Sequence, residues 1–312
     1  KELFVLMTQE RDPFVCWDAG QKYVSKLILG IVKAQKQDRR FTIDPDYIKA
    51  VETILSNDSL EPALRAELLK LPSENDLAQG MAVIDVDNIH FARRFIQKYI
   101  GQELKENFQE IYLEMLDDLS PLDLSTDAMG RRALASVCLV YLTANENVAL
   151  LKLALNQAIA GKSMTLTMAG LNALNDIQCK ERDEALNDFF FKWSKHPLEL
   201  DKWFNLQASS ALKSSFQKVE ELIKSKEFDI LNPNRVRSLL GAFANNNPVN
   251  FHRLDGRGYE LLADKVIQLN VINPQVGARL AIPLTRWHSH IESRKKNMKY
   301  QLQRIISTDK LS

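Results

Sequence analysis

Two helix starts carry the residues best suited to gripping an anion. One is Asn232-Pro233-Asn234-Arg235-Val236-Arg237, and the other runs Asn273-Pro274-Gln275-Val276-Gly277-Ala278-Arg279. Asparagine before proline marks a helix start: its carboxamide oxygen accepts an orphan amide, and proline at the first helical position lacks the donor that would go unsatisfied there. Cations near a helix N-terminus oppose the macrodipole by roughly 0.3–1 kcal/mol. Each helix also has an interior glycine, Gly241 or Gly277, which costs about 1 kcal/mol against alanine. Arg237 and Gly241 are four apart, so a small residue flanks the arginine. Gln275 and Arg279 are also four apart and share a face. Arginine beside a free helix N-terminus can receive a carboxylate. The competing reading is a salt bridge to one of the 40 acidic residues, and spacing alone leaves both open.

Other chemistry finds little support. None of the five histidines opens a His-Glu-x-x-His motif, so the sequence carries no zinc-protease helix. His288 and His290 fall about 200° apart on an expected helix and do not share a face, which argues against a joint metal site. Cys16 and Cys138 sit in apolar helical patterns, as buried structural thiols do. There is neither a phosphate-binding loop nor a dinucleotide fingerprint. Asp255-Gly256-Arg257-Gly258-Tyr259 reads as a turn before a helix. The stretch Arg279 to Ser312 has eight basic residues against Glu292 and Asp309, which is expected to be a solvated helix face.

The elements that must position these residues are helical. Of the 10 prolines, six follow Asp, Asn or Glu: Pro13, Pro45, Pro62, Pro233, Pro248 and Pro274. These prolines read as punctuation between helices. Steps of three and four predict a long helix over 87–119, with Phe95, Tyr99, Phe108, Ile111 and Met115 on its apolar face. Shorter helices are expected over 13–37, 45–57, 62–70, 126–144, 147–159, 164–176, 180–195, 198–208, 214–224, 233–244, 258–270, 274–282 and 289–307. Residues 3–7 fit either a strand end or a helix start. No alternating β-branched run and no hairpin signal appears. Short helices joined by short turns predict an all-α, irregular solenoid with no fixed repeat length, built as one continuous domain.

Composition agrees. The 312 residues are 45% hydrophobic and 26% charged, with net charge +1, which suits a soluble globular chain and gives no field favouring nucleic acid or an anionic membrane. The longest nearly apolar run, Leu134 to Leu142, is nine residues, well short of the about twenty that a membrane span needs. Three separated cysteines fit free thiols in a cytoplasmic protein. With no signal-like stretch, Lys1 is expected to be a cut site.

Several segments together resemble the C-terminal helical domain of the aminopeptidase N family, of the bacterial alanyl aminopeptidase type, among the zinc gluzincin aminopeptidases. They are NPNRVRSLLGAFANNNPVNFH (232–252), DGRGYELLADKVIQLNVINPQVGARLAIPLTR (255–286), DKWFNLQAS (201–209), RDPFVCWDAGQ (11–21) and EPALRAELLKLPSEND (61–76). The resemblance implies an armadillo- or HEAT-like superhelix forming a bowl over a catalytic domain. Residues 1–10 would lie at the junction with a preceding β-sandwich, and the family's final helix would follow the last residue. The parent would be a zinc-dependent peptidase of peptide catabolism that removes N-terminal residues, preferring small or basic ones. Its zinc would be held by a His-Glu-x-x-His segment and a downstream glutamate, none of which this chain carries. The chain would therefore contain no catalytic residue and no metal or other cofactor of its own. Position by position, the resemblance makes Arg237, Gln275 and Arg279 contacts to the prime side of a peptide, with Asn234 as a further candidate. The implied partners are the peptide and the catalytic and β-sandwich domains of the same chain, with a monomeric parent and neither nucleic acid nor membrane. Without the resemblance, an independent solenoid scaffold for a partner protein would lead. A basic nucleic-acid adaptor is a third reading, which predicts steep salt dependence of binding.

Overall fold

Asparagine, aspartate and serine set the helix starts in the computed structural model, which describes residues 2–120, 122–161 and 163–308. Asp12 accepts from the amides of Phe14 and Val15 at 2.9 and 3.1 Å. Asp44, Asn147, Asn232, Asn247 and Asn273 cap their helices in the same way, and Ser125 and Ser163 do so with hydroxyls. Glu61 precedes a proline yet makes no side-chain cap. The preferred caps are the shorter Asp, Asn, Ser and Thr.

The described residues form helices joined by turns and short loops, with one isolated bridge, between Ile84 and His290. In chain order the helices are α1 (Glu2–Gln9), α2 (Pro13–Lys36), α3 (Pro45–Leu55), α4 (Pro62–Leu69), α5 (Glu74–Gln79), α6 (Val86–Glu103), α7 (Lys105–Leu116), α8 (Thr126–Thr143), α9 (Val148–Ala160), α10 (Met164–Leu174) and α11 (Lys180–Trp193). They continue as α12 (Pro197–Ser209), α13 (Ser215–Ile223), α14 (Pro233–Val236), a π-turn (Arg237–Gly241), α15 (Ala242–Asn246), α16 (Pro248–Phe251), α17 (Arg257–Ile272), α18 (Pro274–Thr285), a 3-10 turn (Trp287–Ser289) and α19 (Glu292–Ile306). Three expectations change. Residues 3–7 are helix, in α1. The long helix over 87–119 breaks at Leu104, whose φ of −111° and ψ of 26° end α6. The buried steps Ile100, Leu104 and Phe108 run through the break, so the apolar period alone does not mark it. The last helix begins at Glu292, so His288 lies in the 3-10 turn and His290 in extended backbone rather than on one helix.

The chain divides into two compact units, residues 1–77 with 88–185 and residues 78–87 with 186–312. In the first, α8 is the central element and packs against α4, α7, α9 and α10. Leu134, Ala135, Cys138, Leu139 and Leu142 are buried around much of its circumference, the pattern of a helix enclosed by others. Cys16 is buried too, while Cys179 is half-buried; all three thiols are free. Burial pushes the Cys138 thiol up to about 12. In the second unit, Phe204, Phe243, Phe251, Tyr259, Leu262 and Met298 form the core between α12, α15, α17 and α19. Asn247 ties the loop after α12 to this core, donating to Ala208 O at 2.9 Å and Ser210 O at 2.7 Å.

Candidate functional site

The first helix start puts its two arginines to different uses. Arg235 is buried, 3.0 Å from Asp201 Oδ1, with its guanidinium 4.9 Å from the Phe204 ring centre. The Ser238 hydroxyl, 3.1 Å from the same carboxylate oxygen, braces that pair. Arg237 is exposed and has no carboxylate partner among the described residues. Its Nε donates to Pro233 O at 3.2 Å and its Nη2 to Asn234 Oδ1 at 2.8 Å, so Asn234 steadies the guanidinium from one turn earlier. The expected salt bridge is thus present in this segment, but Arg235 makes it.

Arg237 opens the π-turn. The Ala242 amide reaches back five residues to Arg237 O. Such wide turns are rare and recur at functional sites. Gly241 closes the turn; a Cβ there would lie 3.8 Å from the Arg237 Cβ, an ordinary contact.

The second helix, α18, packs against this turn. Asn273 caps it by accepting from the Val276 amide at 3.3 Å. Gln275 and Arg279 are both exposed, one turn apart, and Arg279 has no ion-pair partner among the described residues. Gly277 is buried against α17, where a Cβ would lie 3.4 Å from Val266 O and 3.5 Å from the Leu269 Cβ. These are ordinary contacts, so the space would admit a methyl group. Pro283, inside α18, has no amide to give the Arg279 carbonyl. The structure therefore joins Asn234 to Arg237 by a hydrogen bond and sets Gln275 and Arg279 one turn apart on α18, which contacts the turn that Arg237 opens. Arg235, Asp201 and the π-turn are the parts the sequence reading missed.

No group of three or more His, Cys, Asp or Glu side chains is arranged to hold a metal ion among the described residues. The one histidine pair is His252 with His290, ring centres 4.3 Å apart. The His252 Nδ1 lies 2.9 Å from the Tyr259 hydroxyl. Arg294, almost fully buried, donates from Nε to His252 O at 2.6 Å and from Nη2 to Asp87 at 2.8 Å. Burial first, then His290 and Arg294, hold the His252 imidazole well below its usual range; burial and Arg294 bring His290 down to about 4. Two imidazoles fall short of the three or four protein ligands that zinc takes, and the buried Arg294 guanidinium beside them opposes a second cation, so this pair does not fit zinc. The expected solvated face of the last helix is corrected here, because Arg294 lies inside.

A family model described as a domain of unknown function, DUF3458_C, ARM repeats, matches residues 1–312. The chain belongs to the DUF3458_C ARM-repeat family. That agrees with the all-α, solenoid-like elements above. This DUF3458_C chain is 32% identical to aminopeptidase N of Escherichia coli over 312 residues, covering all of this chain and 36% of that protein. It is 33% identical to aminopeptidase N of Haemophilus influenzae, again over all of this chain and 35% of the relative. It thus spans about a third of the length of these relatives. The crystal structure of Legionella pneumophila aminopeptidase A in complex with aspartic acid matches with a TM-score of 0.89 at 29% identity, over 99% of this chain and 37% of that one. Among the described residues no helix is long and apolar enough to cross a membrane.

Proposed function

We propose that this chain is the non-catalytic, substrate-enclosing C-terminal domain of a zinc-dependent aminopeptidase, and that Arg237 and Arg279 hold the prime-side part of a peptide. The observation that carries the reading is the pair of exposed guanidinium groups on touching elements, neither spent on a carboxylate among the described residues. The similarity of this whole chain to about a third of each aminopeptidase relative supports it. Arg237, steadied by Asn234, meets a backbone carbonyl or terminal carboxylate, while Gln275 adds a neutral contact beside Arg279. The zinc and the catalytic groups belong to a preceding domain of a monomeric, cytoplasmic bacterial enzyme, so this segment alone is inactive.

The test is Arg237→Ala and Arg279→Ala in the full-length enzyme, assayed on a tripeptide and an aminoacyl anilide. A charge-assisted hydrogen bond contributes roughly 1.5–3 kcal/mol, so peptide kcat/KM falls about 10- to 150-fold while anilide turnover changes far less. Gln275→Ala shows a weaker effect, near the about 1 kcal/mol of a neutral bond. Equal losses on both substrates at unchanged Tm would remove the prime-side role. The same protein without substrate, titrated with a labelled RNA across salt concentrations, addresses the adaptor reading, and no salt-dependent binding is expected.

A further inference from the structure

The first unit contains a cavity of about 560 Å³, within the range of small-molecule sites. Its walls come from residues 69–71 and from α6, α8 and α10. Val137, Val140, Met168 and Ala169 make much of the lining apolar. The polar side chains along it are largely committed to the backbone. The Tyr141 hydroxyl donates to Leu69 O at 2.7 Å, Ser136 to Arg132 O at 2.6 Å, and Gln97 Nε2 to Val140 O at 3.3 Å. Lys70 pairs with Glu67.

Arg93 differs from all of these. Its Nε donates to Pro72 O at 2.8 Å, which fixes the guanidinium plane. Its two terminal nitrogens have no partner among the described residues, and no carboxylate lines the cavity there. The residue is half-buried, so solvent screens its charge only in part. A fixed, uncompensated guanidinium in an apolar recess attracts an anion. The planar fork suits a carboxylate. A wholly neutral occupant would cut Arg93 off from water without replacing those bonds, at a desolvation cost. A phosphate would leave the apolar walls unfilled.

We propose that this cavity binds an apolar group bearing one carboxylate. Arg93 takes the carboxylate, and the faces of α8 and α10 around Val137 and Met168 take the apolar part. A free aliphatic acid and the C-terminal residue of a peptide share that chemistry. The site involves none of the residues assigned above to the prime side, so it stands or falls separately from the proposed function.

The experiment is calorimetric titration of the full-length protein with decanoate, decanol and decyltrimethylammonium, and with N-acetyl-Leu-Phe and its C-terminal amide. One decanoate is expected per chain, with decanol weaker by about tenfold or more and no binding of the cation. Arg93→Gln lowers decanoate affinity by about the same factor, and Arg93→Lys keeps part of it. Ala133→Phe, on the cavity wall, abolishes it, and Thr165→Phe at an exposed lining position does the same if the first variant fails to fold. Binding of N-acetyl-Leu-Phe, but not its amide, sensitive to the same variants identifies a peptide C-terminus as the source; binding of decanoate alone identifies a free acid. Three results would each overturn the proposal: decanol binding as well as decanoate, decanoate affinity unchanged in Arg93→Gln and the blocking variants at unchanged Tm, or no carboxylate binding up to about 1 mM.

Discussion

The second unit contains two arginine-bearing regions that treat their polar groups in opposite ways. Around His252, His290 and Arg294 the groups close on each other: Arg294 is spent on His252 O and Asp87, and His252 on Tyr259. Around Arg237 and Arg279 the guanidinium groups stay exposed with no carboxylate at hand among the described residues. The difference teaches how to tell a structural arginine from a receiving one. A buried arginine whose own donors are matched holds the fold, and removing it exposes a desolvation cost. An exposed arginine held only by its own helix costs little to remove unless a ligand uses it.

Matched glycines sharpen that contrast. Gly258 lies in the closed region, and a Cβ there would run into the Phe251 carbonyl oxygen. Backbone must shift, so Gly258→Ala is expected to lose about 3 kcal/mol, read as a lower Tm or denaturant midpoint. A change under about 0.5 kcal/mol would mean the α16–α17 approach relaxes freely. Arg294→Met comes next, at about 2–3 kcal/mol, because it strands the buried His252 carbonyl and loses a charged hydrogen bond. Its thermal melt should drop with no selective loss on peptides over anilides.

Acid should act on the same closed region. In the folded chain the His290 imidazole is held down to about 4 against an ordinary 6.5, and His252 is lowered too. The unfolded chain therefore binds more protons between those values, and stability falls as pH drops from 6.5 toward 4. The groups facing the pair are Tyr259, Arg294 and Asp87. Tm measured across that window should decline, and His290→Gln should flatten the decline. An equally steep slope in that variant would assign the acid loss to His252 or to carboxylates elsewhere. The smallest effect belongs to the open region. At Gly241 a Cβ would lie 3.8 Å from its nearest neighbour, so Gly241→Ala should shift stability by no more than about 1 kcal/mol, in the favourable direction.

Much of this was legible because it is local. Asp12, Asp44, Asn232 and Asn273 cap their helices where an Asp-Pro or Asn-Pro pair says they should. Glu61 shows the limit of that rule, since the proline still starts α4 without help from the longer side chain. The one-face placement of Gln275 and Arg279 followed from a spacing of four. What stayed hidden depends on partners far away in the chain. Arg294 looked like part of a charged face, and only Asp87 and His252, distant in sequence, make it a core residue. Which arginine of Arg235 and Arg237 would find Asp201 depends on the pitch of the turn between them and on where α12 lies. The cavity around Arg93 draws its walls from four separate segments, so no window of sequence contains it.

The π-turn at Arg237–Gly241 also bears on insertions and deletions. A turn of this kind holds one residue more than an α-turn of 3.6 residues, and each residue advances the helix by about 100°. Removing one residue between Arg237 and Gly241 lets the backbone relax to ordinary α pitch, so the segment stays helical. The cap at Asn232 and the aromatic core at Phe243 then keep their alignment, because the wide turn had already absorbed the rotation that the extra residue would add. Forcing the full-length segment into regular α pitch would instead turn Phe243 by about 100° from the rings of Phe216 and Phe251. The wide turn is thus a phase-keeping shim: it lets the segment carry one residue more than a regular helix could hold between its cap and its core contacts.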